Sequence, residues 1–573
     1  MTVGNFTGLA AVQTGQIPRD GGTMDLHNML VMTPTGHPDP STVIAACRAG
    51  ARGILDLEIA PSLSEAKAAL QKVAAHRQSP FGVKLATADS EWLALLDEFI
   101  PKGLAFLVLA GGDPTQATPI VEHFRDPSLH LLWEATSIEE VEHGRQLGIS
   151  GLILKGQEAG GRVGDETTFV LLQRWRKEFG PESSHHLPAW VQGGIGLNTA
   201  AAVMAAGASG IVLESQLLLT KESSLRKSAR QWLSAFDGSQ TVCLGERLGA
   251  TYRLRKFPGC PIVEALTQEE AKLEAAELSP AEKRTRWQNI VAQQSQTAEK
   301  NQVVFLGQAA CFAQSLADRY VTVAGVLQGI AERIEHNLAS ARNHLPLSPD
   351  SHFARQHGIK YPILQGPMTR VSDTAAFADS VSKAGALPFL ALAVLRKKAT
   401  ETLLGETQKL LGDRSWGVGL LGFLPPEIRK EQTGAIRKFK PPFALIAGGR
   451  PDQAKELEDE GIPTYLHVPS PGLLKMFLKD GALRFIFEGR ECGGHVGPRG
   501  SFILWETMCE LLLEYIHSGG KADQLHIVFA GGIHDAASTA AVSALAAPLA
   551  EKGVAVGVLM GTAYLFTKEA VEG

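Results

Sequence analysis

The stretch that decides the fold is EGRECGGHVG at residues 488–497, because the chain carries a second version of it, KGQEAGGRVG, at residues 155–164. The spacing is 488 − 155 = 333 residues. Three other pairs repeat in the same order: FLVLAGGDP (106–114) with FALIAGGRP (443–451), QGGI (192–195) with AGGI (530–533), and GIVLESQLLLTKE (210–222) with GVLMGTAYLFTKE (557–569). The spacing of the last pair is 557 − 210 = 347 residues. So long a period indicates a duplicated domain and not a solenoid.

Within each copy, short apolar runs end in glycine-rich turns and alternate with helical segments. In the second copy the runs lie at 362–364, 416–420, 443–446, 464–468, 485–487, 526–529 and 554–559, and helical patterns lie at 375–384, 501–516 and 536–550. Short buried strands separated by helices are typical of parallel βα units, and about eight of them make a closed barrel. The sequence therefore predicts an α/β protein with two tandem (β/α)₈ TIM-type barrels. A doubly wound open sheet is the alternative.

Between the copies lies a segment of different composition. Residues 267–300 are charged, alanine-rich and helical in pattern, and residues 302–337 have the pattern of an amphipathic helix. A flexible linker would be richer in glycine and serine. We therefore predict a first barrel at 1–233, a helical connector or subdomain at 234–352, and a second barrel at 353–573.

Composition excludes several functional classes. The formal net charge of the 573 residues is −5, which argues against a surface for nucleic acid or anionic membranes. No apolar run reaches the roughly 18–20 residues of a membrane span, and the N-terminus lacks the pattern of a signal peptide. The six cysteines form no CxxC pair, so neither a metal site nor a disulfide framework is expected. These features favour a cytoplasmic protein.

Ligand-binding groups of a parallel barrel gather at the carboxyl ends of its strands. In the second copy, PILQGPM (362–368) ends a strand in Gly-Pro, and His495 follows the paired glycines of the 488–497 stretch. Two further strands end in Gly531-Gly532 and in Gly561-Thr562, each expected to lead into a helix N-terminus. Such turns favour an anion, so we expect a phosphate there.

The ordered set QGPM, EG-x-E/C-x-GGH-x-G, AGGI and MGTAYLFT resembles the nitronate monooxygenase (2-nitropropane dioxygenase) family, which also includes flavin-dependent enoyl-acyl-carrier-protein reductases. The resemblance covers essentially the whole second copy and, more weakly, the first. It implies an FMN site and a catalytic histidine at His495. The implied cofactor-binding residues are Gln365, Gly366, Pro367 and Met368 along the flavin ring, Glu488, Gly493 and Gly494 on its substrate side, and Gly531, Gly532, Gly561 and Thr562 at the phosphate.

The second copy departs from the family in one strand. The family often has Asn after the Gly-Val of its early strand, where this chain reads WGVG at 416–419. This departure removes a side-chain hydrogen bond that FMN would receive. His467, at another strand end, is a secondary candidate for lining the site.

The first copy keeps the glycine pairs but changes the reactive positions. Arg162 stands at the histidine position, Glu214-Ser215 stands at the Gly561-Thr562 position, and MTPT (32–35) replaces QGPM. Arginine cannot shuttle protons near neutral pH, and a carboxylate repels phosphate. We therefore expect a non-catalytic or altered first barrel. The alternative is a different ligand there, contacted by His37, Lys84 or Arg162.

The resemblance predicts an FMN-dependent oxidoreductase. The favoured reaction is NAD(P)H-dependent reduction of an enoyl thioester, either a small molecule or a substrate bound to an acyl carrier, because the duplicated, helix-linked layout resembles a module of a larger fatty-acid or polyketide synthase. One alternative is a nitronate monooxygenase that oxidises alkyl nitronates with oxygen. Another is a flavin-free scaffold of two interaction barrels.

Overall fold

The computed structural model describes residues 25–59, 62–112, 114–124, 129–295, 302–494 and 496–570. Its two large sheets are closed barrels of eight parallel strands each, which confirms the predicted α/β fold with tandem barrels. The described residues divide into two compact units, with the boundary between Glu335 and His336. Each unit contains one barrel.

The first barrel consists of eight short buried strands, each followed by a connection that returns along the outside. Its strands are β1 (Met29–Met32), β2 (Arg52–Asp56), β3 (Phe81–Leu85), β4 (Leu104–Ala110), β5 (His130–Ala135), β6 (Gly151–Lys155), β8 (Ala189–Gln192) and β9 (Gly210–Leu213). Its helices are α1 (Pro40–Ala49), α2 (Leu63–His76), α3 (Ser90–Phe99), α4 (Pro114–His123), α5 (Ile138–Gln146), α6 (Thr168–Phe179), α7 (Thr199–Ala205) and α8 (Lys227–Leu233).

The segment after the first barrel contains four helices and also two strands that the prediction lacked. They are β10 (Thr241–Leu244) and β11 (Thr251–Arg255), and β11 pairs antiparallel with β7 (Gly161–Val163). The helices are α9 (Pro261–Ala275), α10 (Pro280–Ser295), α11 (Ala313–Tyr320) and α12 (Val323–His344). The alternation in β10 and β11 is short and half polar, so these residues form a sheet through the antiparallel pairing of β10 with β11 and of β11 with β7.

The second barrel repeats the architecture of the first. Its strands are β12 (Ile363–Gln365), β13 (Leu387–Ala391), β14 (Gly417–Leu421), β15 (Phe443–Ala447), β16 (Thr464–His467), β17 (Arg484–Glu488), β18 (His526–Ala530) and β19 (Ala555–Met560). Its helices are α13 (His352–His357), α14 (Ala375–Lys383), α15 (Lys397–Leu411), α16 (Pro426–Phe439), α17 (Pro451–Glu458), α18 (Pro471–Lys479), α19 (Ser501–His517) and α20 (Ala536–Glu551). Strand β13 was absent from the predicted runs because Pro388 interrupts it, and proline disfavours a central strand.

The interior of each barrel follows from the two-residue alternation of its strands. In the first barrel, Leu30, Ile54 and Leu132 belong to one buried apolar cluster. In the second, Leu364, Tyr465 and Ile486 belong to the corresponding cluster. Because side chains two positions apart point to the same face, the next inward residue of each strand lies at the carboxyl-end mouth of its barrel. This layer of residues decides what each mouth can bind, and we call it the top layer.

Candidate functional site

The strand registers identify which top-layer residues are equivalent in the two barrels. Asp56 pairs with Lys84 as Ala391 pairs with Gly419, and Lys155 pairs with Gln192 as Glu488 pairs with Ala530. The equivalent pairs, first barrel then second, are Asp56 and Ala391, Lys84 and Gly419, Glu134 and His467, Lys155 and Glu488, Gln192 and Ala530, and Glu214 and Gly561. The first top layer is therefore large and charged, whereas the second is mostly small.

In the first barrel, Lys84 is the centre of a buried ion network. Its Nζ lies 2.8 Å from a carboxylate oxygen of Glu58 and 2.8 Å from one of Glu134, and 3.4 Å from Asp56. Burial alone would lower the pKa of Lys84, but these carboxylates outweigh it and hold the pKa well above its ordinary value. The predicted alternative role of Lys84 as a ligand contact would require this network to open.

Arg162, at the position of the predicted histidine in the other copy, belongs to the same network. Its guanidinium donates to the Glu140 carboxylate at 2.7 Å and to the main-chain carbonyl of Glu134 at 3.3 Å. On the other side of Glu134, Lys155 Nζ lies 3.4 Å from the carboxylate. Burial lowers the pKa of Lys155, since the single near carboxylate does not offset the loss of solvation.

Glu214 fills the first-barrel space that corresponds to the predicted phosphate turn. Gln192 Nε2 donates to its carboxylate at 2.6 Å. A Cβ on Gly160 would lie 2.9 Å from Glu214 Oε1, so the carboxylate is pressed against the glycine turn. Burial raises the pKa of Glu214 to about 7, although Lys155 and Gln192 act in the opposite direction.

The mouth of the first barrel is also covered by the segment that follows it. The Gln308 N–H donates to the Glu158 carbonyl at 2.8 Å, and a Cβ on Gly160 would lie 2.9 Å from the Gly307 nitrogen. From β11, the Arg253 Nε donates to the Gln157 carbonyl at 2.5 Å. The glycine turn of the first copy is thus occupied by protein.

The second top layer has a single contact between a carboxylate and an imidazole among the described residues, that of Glu488 with His467. These are the last residues of β16 and β17, and His467 Nδ1 lies 2.8 Å from Glu488 Oε2. Their side chains are 10% and 9% exposed. Among the described residues, His467 Nε2 and Glu488 Oε2 are both buried without a hydrogen-bond partner, so the 2.8 Å approach of Nδ1 to Oε2 is a close ion-pair distance and not an aligned hydrogen bond.

Three of the predicted glycines of the second mouth, Gly493, Gly494 and Gly561, face open space. Gly493, Gly494 and Thr562 are exposed. A Cβ on Gly561 would have only Met368 Sδ nearby among the described atoms, at 3.9 Å, and a Cβ on Gly494 would meet none of them within 4 Å. Gly494 has a φ of +115°, where a side chain is strained regardless of space.

The turn at Gly531-Gly532 keeps the same backbone in both copies. Gly531 and Gly532 have φ values of +124° and +72°, and Gly193 and Gly194 have +113° and +68°. Glycine adopts these conformations without the cost that a side chain would add. The turn is therefore a property of the fold, and what differs between the copies is the residue opposite it, Glu214 or Gly561.

The expectation that these glycines lead directly into helix N-termini needs correction. Helix α20 begins at Ala536, and its N-terminus is already capped by Asp535, whose carboxylate accepts from the Ser538 N–H at 2.8 Å. After Gly561 the chain makes only a 3₁₀ turn, Thr562–Phe566. Anion-binding groups here would be the N–H groups of the turns themselves, which form an anion-binding concavity without a helix dipole.

The QGPM segment lies beside this mouth, with its members in different roles. The Gln365 amide is buried, where Oε1 accepts from the Phe389 N–H at 3.2 Å and Nε2 donates to the Gly366 carbonyl. Pro367 packs on Gly419, because a Cβ at 419 would lie 2.4 Å from the proline ring. This packing explains the glycine at 419, and it leaves Met368 as the member nearest Gly561.

The sequence analysis did not identify the glutamate that lies at the same place in each repeated stretch, Glu491 in the second copy and Glu158 in the first. Glu491 accepts from the N–H of Ser501, the first residue of α19, at 2.8 Å, and from its hydroxyl at 2.5 Å. In the first copy, Glu158 accepts from the N–H of Thr168, the first residue of α6, at 2.8 Å. The glutamate common to EGRE and KGQE is the signal that could have found this pair. It fixes each glycine turn to the next helix.

His495 lies outside the described residues. Burial raises the pKa of the Cys492 thiol, with Glu488 and Glu491 adding to the effect, so Cys492 stays protonated. Within the described residues, there is no group of three or more His, Cys, Asp or Glu side chains suited to a metal ion. In that same portion of the sequence, no helix combines the length and apolar character needed to cross a membrane.

Comparisons with known proteins match part of the chain to one family model. Residues 54–318 match the family model described as nitronate monooxygenase. This match falls on the first barrel and the segment after it, where the sequence analysis expected the weaker resemblance. The match includes residues 305–308, which pack on the first mouth in the structure.

A curated relative is 28% identical over 222 residues, which are 37% of this chain and 54% of the relative. It is the (3aS,4S,5R,7aS)-5-hydroxy-7a-methyl-1-oxo-octahydro-1H-indene-4-carboxyl-CoA dehydrogenase of Rhodococcus jostii (strain RHA1). The chain thus spans about half the length of the curated relative that it matches.

Among solved structures, FabK from Thermotoga maritima is 18% identical with a TM-score of 0.45, covering 55% of this chain and 94% of its own. Nitroalkane oxidase from Streptomyces ansochromogenes is 19% identical with a TM-score of 0.40, covering 55% and 97%. The enoyl reductase domain of MlnA from Bacillus amyloliquefaciens is 13% identical with a TM-score of 0.44, covering 55% and 95%. Likenesses this distant say nothing about the reaction.

Proposed function

Because residues 54–318 match the nitronate monooxygenase family model, we propose that the chain is an FMN-dependent oxidoreductase whose working site is the mouth of the second barrel. The observation that carries this proposal is the difference between the top layers. Where the first barrel has Glu214, the second has Gly561, at which a Cβ would meet only Met368 Sδ, at 3.9 Å, among the described atoms. The first mouth is filled by its own side chains, and the second offers room and exposed main chain.

The second-barrel residues fit the parts of FMN. Gly531, Gly532, Gly561 and Thr562 would hold the phosphate through main-chain N–H groups and a hydroxyl. Gly366, Pro367 and Met368 would lie along the ring, with Gln365 supporting them from behind. Glu488, Gly493 and Gly494 would border the substrate side. The chemistry that the flavin supplies is hydride transfer between NAD(P)H and substrate.

Within this class, we propose reduction of an enoyl thioester. The loops after β13, β14 and β19 expose Val394, Phe423 and Phe566, at 65%, 59% and 79%. These three strands and β12 are consecutive around the barrel, so the loops that carry these exposed apolar side chains lie along one arc of its rim. Such an arc suits an apolar acyl chain. The name of the curated relative also places a coenzyme A thioester on a related protein.

Nitronate oxidation is the second candidate, since the matching family model carries that name. It uses the same flavin but needs oxygen in place of NAD(P)H. A flavin-free scaffold is the third reading, and it predicts a protein that takes up no flavin. In the enoyl reductase proposal, the acyl group is carried either by coenzyme A or by a carrier protein of a larger synthase.

One set of assays separates these readings. The purified chain should acquire the visible spectrum of a flavoprotein when reconstituted with FMN, and a colourless protein would favour the scaffold. With crotonyl thioesters of coenzyme A and of an acyl carrier protein, we expect NAD(P)H to be oxidised. Oxygen consumption driven by an alkyl nitronate, with no response to either thioester, would instead assign the nitronate reaction.

A further inference from the structure

The His467–Glu488 contact in the second mouth has an inverted counterpart in the first. The equivalent residues are Glu134 and Lys155, whose charged atoms lie 3.4 Å apart. In the first barrel the acid is on the earlier strand, and in the second the acid is on the later one. The fold therefore places an acid–base pair at this point in both copies, but only the second copy uses an imidazole.

The partners of the two pairs also differ. Glu134 is shared by Lys84 at 2.8 Å and by Lys155, and Arg162 donates to its carbonyl. In the second barrel Gly419 replaces Lys84, so the lysine that the first barrel places beside this pair has no equivalent next to His467. Among the described residues, the imidazole thus has a carboxylate oxygen 2.8 Å from Nδ1 and no polar partner at Nε2.

His467 Nε2, on the opposite side of the ring, is the atom that the fold leaves without a partner. It is buried, and no described residue accepts from it or donates to it. A buried polar atom left unpaired costs about 1–3 kcal/mol, so such atoms in native proteins normally meet a ligand or water. The alternation from Tyr465 in the barrel interior directs His467 toward the mouth.

We propose that His467 is a proton-carrying residue of the second mouth, positioned by Glu488, and that its Nε2 exchanges a proton with the carbon next to the thioester carbonyl of the substrate. A carboxylate at Nδ1 fixes the ring tautomer and stabilises the imidazolium, which is how carboxylate–histidine pairs prepare the other nitrogen. The inference rests on the proposed thioester chemistry. It assigns a role to a residue other than His495.

The step is balanced without any redox change. Neutral Nε2 takes a proton from the α-carbon of a saturated thioester, giving an enolate and an imidazolium. The imidazolium exchanges its proton with solvent and returns one to the same carbon. In the direction of enoyl reduction, the imidazolium supplies the α-proton. A general base in this position contributes about 10²–10⁴-fold.

The test is solvent deuterium exchange into the α-carbon of butyryl-coenzyme A, followed by NMR with the full chain reconstituted with oxidised FMN. We expect exchange with the unaltered protein and a loss of about 100-fold in His467→Gln, whose amide preserves a polar atom near Nε2 but carries no transferable proton. In His467→Ala, added imidazole should restore part of the exchange. Glu488→Gln should slow exchange less than His467→Gln does, because it only weakens the contact that positions the imidazole.

His517→Gln is the matched control, since His517 is exposed at the end of α19 and should leave exchange unchanged. No exchange with the unaltered protein, or full exchange in His467→Gln, would overturn the inference. Flavin uptake and NAD(P)H oxidation are measured separately on the same samples. Failure of those assays with exchange intact would overturn the proposed function and leave the role of His467 standing.

Discussion

At the scale of single residues, position 561 separates the two mouths most sharply. Gly561 has only Met368 Sδ near its open side among the described atoms, whereas the equivalent Glu214 presses a carboxylate against the glycine turn. Gly561→Glu should therefore copy the first-barrel arrangement into the second and repel the FMN phosphate. We expect affinity for FMN, measured by fluorescence titration, to fall by about tenfold or more, equivalent to about 1.4 kcal/mol.

Gly434→Glu is the control for that substitution. Gly434 is exposed on α16, and a Cβ there would meet no described atom within 4 Å. It adds the same charge away from the mouth, so affinity for FMN should stay within about twofold of the unaltered chain. Equal affinity in Gly561→Glu would contradict the assignment of the phosphate turn.

Glu214 itself gives the first barrel a pH-dependent stability. Its pKa is raised from 4.5 to about 7 in the folded protein, so the folded state binds more protons than the unfolded state between these values. Folding stability should therefore fall as pH rises from about 4.5 to about 7, by up to about 3 kcal/mol. Glu214→Gln should remove this loss.

Thermal unfolding of the full chain at pH 5.5 and pH 8 measures the effect. Between pH 5.5 and pH 8, the melting temperature of the first barrel should fall more in the unaltered chain than in Glu214→Gln. Glu178→Gln, at an exposed position on α6, serves as the control and should behave like the unaltered chain. An identical pH response in all three proteins would show that Glu214 is not protonated by burial.

At the scale of elements, the repeated glutamate connects each glycine turn to a helix. Glu491 accepts from the N–H and hydroxyl of Ser501 at the start of α19. Glu491→Ala removes this cap and should lower the free energy of unfolding of the second unit by about 1–2 kcal/mol. Urea unfolding measures it, with the exposed Asp413→Ala as a control that should change stability by less than about 0.5 kcal/mol. Equal stability of the two variants would show that the Glu491 cap does not stabilise the second unit.

The elements also show what sequence could and could not predict. The repeat and the glycine pairs predicted both barrels, because short buried strands and turns are local features. The contact of His467 with Glu488 was not predicted, since it depends on the register between β16 and β17. The cover of the first mouth by residues 305–308 depends on packing across more than a hundred residues of chain, which no local pattern encodes.

At the scale of the whole molecule, the duplication has produced two mouths with different contents. The charged top layer around Lys84 is a buried part of the first-barrel interior. Opening its ion network would leave carboxylates buried and unpaired. The small top layer of the second barrel keeps room for a ligand at Gly561. The family match on the first barrel and the open mouth of the second are consistent, because sequence similarity records descent of the fold and not retention of the site.

The most direct test of a single flavin site in the second barrel is the number of flavins per chain. The full chain is saturated with FMN, freed of excess, and its flavin absorbance is compared with its protein concentration. We predict one FMN per chain, and close to none in Gly561→Glu. Two FMN per chain, or one that persists in Gly561→Glu, would contradict the claim that only the second barrel binds flavin.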